Sequence, residues 1–244
     1  MCFISTKPAH CILCAVYEML VLLVDVQCWK AKVAGCGHHL LPVRLGAHCL
    51  ALSAGQYKML SEQFLMDCSW PEGNTACNGG FQDKAFEFAI TSKGIPTNED
   101  YPYHGVNMPC NPDVARTASI AGYVNVRGYH PQELKEAILT KGPMTVSLDA
   151  DAKSFRFYKS GIYYNEQCKT HPPSVLDHAV IVSGYGRDPK TGQKYWVLKN
   201  LWSTWWGEGG YMRIDMDRND CGVSALPEYV LLDREATDGL RVES

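Results

Sequence analysis

Two apolar runs rich in Val, Tyr and Trp stand out in the second half of the chain, at residues 175–186 and 193–202. Asp188-Pro189 and Thr191-Gly192 lie between them. Apolar segments of this length around a Pro- and Gly-containing break predict a β-hairpin. A turn centred near Pro189 sets residues equidistant from it opposite each other. His178, at the mouth of the first strand, then faces Asn200, at the end of the second. Further strands are predicted at 120–126, 144–148, 161–164, 211–214 and 228–232. Helical spacing appears earlier, at 61–68, with a capping-type start at Ser61 and Phe64, Leu65 and Cys68 on one side. A second helix is expected at 81–90, with Phe81, Ala85, Phe88 and Ala89 on one face, ending near Gly94-Ile95-Pro96. A short third one opens at His130-Pro131 and closes at Gly142-Pro143. A turn-rich loop at 71–80 and a polar, proline-containing crossing at 98–112 connect these pieces. The order, helices first and strands after, predicts an α+β fold.

An imidazole beside a carboxamide is a catalytic arrangement, because the amide oxygen accepts one ring N–H and holds the other nitrogen ready for a nucleophile. Trp202, Trp205 and Trp206 follow Asn200 closely, and Gly207, Gly209 and Gly210 leave the backbone room among the indoles. Such an apolar lid strengthens a satisfied polar pair by lowering the local dielectric. A serine or cysteine is the third member that this chemistry requires.

At 244 residues and 27.2 kDa the chain suits one large domain or two packed lobes. A net charge of -3, without runs of Lys or Arg, argues against nucleic acid as a partner. Cysteines crowd the first fifty residues, at Cys2, Cys11, Cys14, Cys28, Cys36 and Cys49, and are scattered downstream, as in an oxidised, secreted or lysosomal framework. Cys11, Cys14, Cys36, His38 and His39 do not complete a zinc set at ligand spacing, so no metal or other cofactor is expected. The apolar stretch from Cys11 to Cys28 is interrupted by Glu18 and Asp25, which suits neither a membrane span nor a clean signal peptide. Residues 1–54 lack periodicity and caps, and are expected to be foreign to the fold, as translated intron sequence would be. Residues 233–244 are charged and expected to form a flexible tail.

The residues around the hairpin carry a family resemblance. Leu176-Asp177-His178-Ala179-Val180, Gly184-Tyr185-Gly186, Tyr195-Trp196, Lys199-Asn200-Leu201-Trp202 and Trp206-Gly207 resemble the His and Asn blocks of the papain-like cysteine peptidases, the cathepsin group. Upstream, Leu60-Ser61-Glu62-Gln63, Asp67-Cys68 and Cys77-Asn78-Gly79-Gly80 resemble that family's middle blocks, in the same order. The match runs from about Gly55 to Leu232, with Leu201 standing where the family usually has Ser. It implies a two-lobe fold: the remainder of a helical left lobe at 55–112, a β-barrel-like right lobe at 113–232, and the active-site cleft between them.

The resemblance also implies roles. His178 is the base of a thiolate–imidazolium pair, Asn200 orients it, and Trp202 shields their bond. Gly79 and Gly80 pair with an extended substrate by β-augmentation. Phe81, Ser147, Ala179 and Leu226 wall the pocket for the second residue before the cut, and Asp177 belongs to the same cleft. Leu226 at its base favours an apolar side chain and offers a charged one no partner. Cys68 pairs with Cys110 and Cys168 with Cys221, while the partner of Cys77 is not identified. No chain-end-capturing insertion is seen, so the expected activity is that of an endopeptidase acting on peptides or proteins, a monomer open to cystatin-like inhibitors, in a lysosomal or extracellular setting.

The family's nucleophile segment has no recognisable counterpart. Gly35-Cys36-Gly37 makes Cys36 the candidate thiol, and its separation from His178 falls inside the roughly 130 to 150 residues usual for such Cys–His pairs. Cys28, in Gln27-Cys28-Trp29, falls at the edge of that window, so spacing does not choose between them. Pro42 and Gly46 argue against the long helix that should follow the nucleophile. Two alternatives stay open: a pseudo-peptidase that binds peptides without cutting them, and a truncated or mispredicted gene product.

Overall fold

Seven strands share one sheet in the order β3-β9-β4-β6-β7-β8-β5, and every neighbouring pair is antiparallel except β5 with β8. The strands are β3 (Ile120–Asn125), β4 (Met144–Leu148), β5 (Ile162–Tyr163), β6 (His178–Arg187), β7 (Lys194–Lys199), β8 (Tyr211–Asp215) and β9 (Glu228–Leu232). A two-stranded ribbon of β1 (Ala51–Leu52) and β2 (Gln56–Tyr57) precedes them. The helices are α1 (Glu62–Cys68), α2 (Gln82–Thr91), α3 (Pro131–Lys141) and the short α4 (Lys153–Arg156). This computed structural model describes residues 51–52, 56–57, 60–218 and 220–232. Cys28 and Cys36 lie outside the described residues, as does the 233–244 tail.

Helix α1 is buried on almost every side, which its short length alone would not sustain. Its start is fixed by Ser61, whose Oγ accepts the Phe64 N–H at 3.0 Å. Phe64, Leu65 and Met66 enter the core, and Phe64 packs against Phe88 and edge-on against Tyr101. The buried polar residues of α1 are fully engaged. Gln63 donates to Asp67 Oδ1 and to the Val106 carbonyl, and its own oxygen accepts the N–H groups of His104 and Gly105. Asp67 in turn accepts from Met108 N and from the Tyr101 hydroxyl. Burial of polar groups is tolerated when each finds a partner, and here the partners are the crossing segment at 98–112. The Cys68–Cys110 disulfide closes the same loop.

Helix α2 packs on β3, where Phe86 meets Tyr123 at 5.4 Å and Glu87 accepts from the Tyr123 hydroxyl. The sequence places Phe81 on the core face of this helix. In the structure Phe81 is instead its N-cap residue, in extended conformation and 68 % exposed, and Phe86 takes the buried position. The reason is the helix start: Phe81 N–H bonds to Asn74 Oδ1, which holds residue 81 outside the first turn.

The hairpin also differs in register. Arg187 pairs with Lys194 and Gly184 with Val197, the pairing slips between Val182 and Gly184, and Ile181 then pairs with Lys199. The turn is not centred on Pro189. Asp188 N–H bonds to the Gln193 carbonyl, and the Asp188 carboxylate accepts the N–H groups of Lys190 and Thr191. Those two bonds hold the Asp188 carboxyl below its ordinary range and build a longer turn that ends with Gly192 at φ 74°. Strand β7 ends at Lys199, opposite Ile181, so Asn200 lies beyond the ladder.

The second disulfide, Cys168–Cys221, joins residues 53 apart in sequence, next to β4 where Asp149 N–H bonds to the Cys221 carbonyl. Cys77 is disulfide-bonded as well. Closing a loop of that length is worth about 4 kcal/mol in the unfolded chain. Replacing both Cys168 and Cys221 by Ser should therefore lower the free energy of unfolding by a few kcal/mol, measured by chemical denaturation under non-reducing conditions.

Candidate active site

His178 opens β6, is buried, and pairs with Leu148 on β4. Its Nε2 lies 2.9 Å from Asn200 Oδ1. The chain leaves β7 at Lys199, and Asn200 is held by its own N–H on the Gly210 carbonyl, so its side chain reaches back to the ring. The orientation of the Asn200 amide follows from a second bond. The Leu201 backbone N–H lies 2.8 Å from the same Oδ1 and can only donate, so that atom is an acceptor. Nε2 of His178 must then be the donor, which fixes the tautomer and assigns Nδ1 to any exchange of a proton with a nucleophile. Leu201, which departs from the family pattern, serves this bond through its main chain.

Trp202 covers the pair, with its ring centroid 4.7 Å from the imidazole at an interplanar angle of 32°. Phe155, at the end of α4, is fully buried and stands edge-on to both His178 and Trp202. Trp206 backs Trp202 at 5.5 Å and donates its indole N–H to the Arg156 carbonyl. Trp205 does not join this lid and is 90 % exposed. The loop from Asn200 to Gly210 is tied down by Glu208, which takes two bonds from Arg213 and one from Gly161 N–H. The Arg213 guanidinium beside Glu208 holds its carboxyl below the ordinary range. Gly207 sits at φ 58°, and a Cβ there would lie 2.5 Å from the Tyr211 carbonyl oxygen. No other residue fits that approach.

A cleft of about 690 Å³ opens beside His178. Gly79, Gly80, Phe81, Ser147, Asp177 and Leu226 all line it. At Gly80 a Cβ would fall 2.3 Å from Asn74 Oδ1, so a side chain there would press on Asn74. Asp177 also has a structural task, accepting the Ala150 N–H. Ala179 is not among the lining residues. It lies opposite Ser147 in the β4–β6 register and is fully buried.

The lining includes one residue that the sequence reading placed only in a strand. Glu228, the first residue of β9, is 7 % exposed, and its Oε2 has no hydrogen-bond partner among the described residues. Burial pushes its carboxyl up to about 8, Asp83 adds to the rise, and a hydrogen bond with Gln82 opposes it. The signal in the sequence is a lone acid heading an otherwise apolar strand. Among the described residues no group of three His, Cys, Asp or Glu is placed to hold a metal ion, and no helix is long and apolar enough to cross a membrane.

Comparison with known proteins agrees with this geometry. The family of papain family cysteine proteases matches residues 44–231, and the chain belongs to that family. The match begins before Gly55, inside the segment set apart by its sequence. The chain is 41 % identical over 210 residues to a cathepsin L-like protein of Caenorhabditis elegans, covering 84 % of this chain and 58 % of that one. It is 40 % identical over 180 residues to cathepsin L2 of Homo sapiens, covering 72 % and 53 %. The chain thus spans somewhat over half the length of the curated relatives it matches. Among solved structures, the bromelain protease from Ananas comosus in complex with the E64 inhibitor is 30 % identical with a TM-score of 0.66, covering 92 % of this chain and 90 % of that one. The papain-like α+β fold follows from these matches together with the mixed sheet and flanking helices.

Glu228 gives this site a pH signature. In the unfolded chain it titrates near the usual 4.5, and in the folded one at about 8. Between these values the folded state retains a proton that the unfolded state has released, so stability falls as pH rises through the window. The thermal midpoint should therefore decline from the lower to the upper end of that range, and Glu228→Gln should flatten the decline.

Proposed function

We propose that the protein is a cysteine-type endopeptidase that hydrolyses peptide bonds through a thiolate–imidazolium pair. The observation that carries this reading is the His178–Asn200 bond, covered by Trp202 and set at the mouth of a cleft with a glycine-lined wall. In the proposed mechanism His178 Nδ1 takes the proton of a cysteine thiol, and Asn200 keeps the ring in the required tautomer and plane. The thiolate attacks the peptide carbonyl, the protonated imidazole gives its proton to the departing amine, and the acyl-enzyme is then hydrolysed by water. An extended peptide lies along Gly79 and Gly80, with the side chain two residues before the cut between Phe81, Ser147 and Leu226. Cys36 is proposed as the thiol.

The disulfides at Cys68–Cys110 and Cys168–Cys221 support an oxidising workplace, lysosomal or extracellular. Peptides and proteins are the proposed substrates of a monomeric enzyme, and inhibitors of the cystatin kind would compete for the same cleft.

An epoxide directed at active-site thiols, followed by mapping of the modified residue, tests the reading. Modification of Cys36 that disappears in His178→Ala is the expected result. Modification at Cys28 would move the nucleophile there, and a folded protein that takes no label would overturn peptidase activity in favour of peptide binding alone. In steady-state assays His178→Ala should lower kcat/KM by roughly 10²- to 10⁴-fold, and Asn200→Ala by the lower end of that range, since it removes orientation and not the base.

A further inference from the structure

Leu226 at the base of the cleft, taken alone, suggests a pocket for apolar side chains only. The residue two positions further on changes that. Glu228 begins β9 where the strand is paired on both sides, with Asn125 on β3 and Thr145 on β4, and its carbonyl accepts from the Thr145 hydroxyl at 3.2 Å. Its carboxyl therefore projects from the middle of the sheet, on a backbone with little freedom to move. It contributes to the same cleft wall as Leu226 and His178.

Three features mark this carboxyl as a recognition group. The first is its unmatched oxygen: Oε2 is buried without a donor among the described residues, while Gln82 bonds to the carboxyl and is itself held by Ser147 and by the Leu226 carbonyl. A buried acceptor left without a donor is costly, and a donor delivered by a ligand would remove that cost. The torsion at the end of a glutamate side chain is soft, so a small rotation presents the second oxygen to the cleft while the first keeps Gln82. The second feature is charge. Among the described residues, the cleft lining contains Asp83, Asp177 and Glu228 and no Lys or Arg. The third is shape: Leu226, 39 % exposed, and Phe81 provide apolar walls in front of the acid. A long aliphatic stem with a cationic tip matches that order of surfaces.

We infer that Glu228 is a specificity-determining residue that seats the Lys or Arg side chain of a peptide in this cleft, at the second position before the scissile bond. This inference rests on the peptidase reading for the direction and placement of the peptide. The stem lies along Leu226 and Phe81, and the cationic tip donates to the Glu228 carboxylate. The groups facing that carboxylate are Asp83 on α2 and Tyr123 on β3, with Glu87 on α2 already paired to Lys84. None of them supplies a competing positive charge. Because burial keeps the Glu228 carboxyl protonated until about 8, the attraction strengthens as pH rises toward that value.

The test uses the full chain and two peptides that differ only in Leu or Arg at the second position before the scissile bond, each made in a cleavable form and with a reduced, non-cleavable bond. Binding of the non-cleavable pair is measured by calorimetry and hydrolysis of the cleavable pair by product release. The Arg-to-Leu affinity ratio should be on the order of 10-fold higher in the unaltered chain than in Glu228→Gln at about pH 8. It should also climb in the unaltered chain between about pH 5.5 and about pH 8. An equal ratio in the two proteins, or one that stays flat with pH, overturns the inference, as does failure of a folded chain to bind either peptide. If Glu228→Gln does not fold, the pH series on the unaltered chain decides. Binding of both peptides without hydrolysis would remove the peptidase reading, while the ratio would still judge Glu228.

Discussion

The contact between His178 Nε2 and Asn200 Oδ1 constrains much of the rest of the molecule. For it to form, β6 must start at the right height beside β4, β7 must release the chain at Lys199, and the loop beyond must fold back under Trp202. Each condition has its own physical support. The sheet interior sets the first, since Val180, Ile181 and Val182 are buried between neighbours. The bond from Asn200 N–H to Gly210 sets the second, and the Glu208–Arg213 pair with the glycine bend at residue 207 sets the third. A bond between neutral groups contributes only about 1 kcal/mol net, so these supports do not exist for its strength. They hold the ring in one plane and one tautomer.

Phe155 connects this polar centre to the core. It stands edge-on to the imidazole, to Trp202 and to Tyr163, and tilts against Trp206, so one buried ring touches every aromatic member of the lid that is itself covered. Aromatic edges carry partial positive charge and faces partial negative charge, which favours this arrangement over flat stacking. The short helix that carries Phe155 did not declare itself in the sequence. Four residues provide no periodicity to detect, and only the packed rings hold it in place.

Much of the architecture was legible in the chain because strong local signals agreed with tertiary packing. Ser61 capping α1, Pro131 opening α3, Gly142 closing it, and the apolar content of β4 and β9 all reported elements close to where they lie. The hairpin was legible, but its register was not, since that depended on Asp188 bonding to the N–H groups of residues two and three further on. His178 and Asn200 nonetheless meet, because Asn200 has left the strand and reaches the ring as a loop residue. The role of Phe81 was hidden for a similar reason: Asn74 decides where α2 begins, and the pattern of apolar residues does not show it. Glu228 was hidden by its context, as strand pattern alone does not tell which of two faces meets a cleft. The candidate thiol Cys36 falls outside the described residues.

The Leu201 N–H on Asn200 Oδ1 makes the amide's orientation a property of the main chain. Every amino acid except proline offers that donor, so position 201 can vary without disturbing the imidazole above it. Loss of the hydroxyl that relatives usually carry there is therefore a change the centre can absorb, and this protein's divergence from its kin at that site need not be a mark of decay.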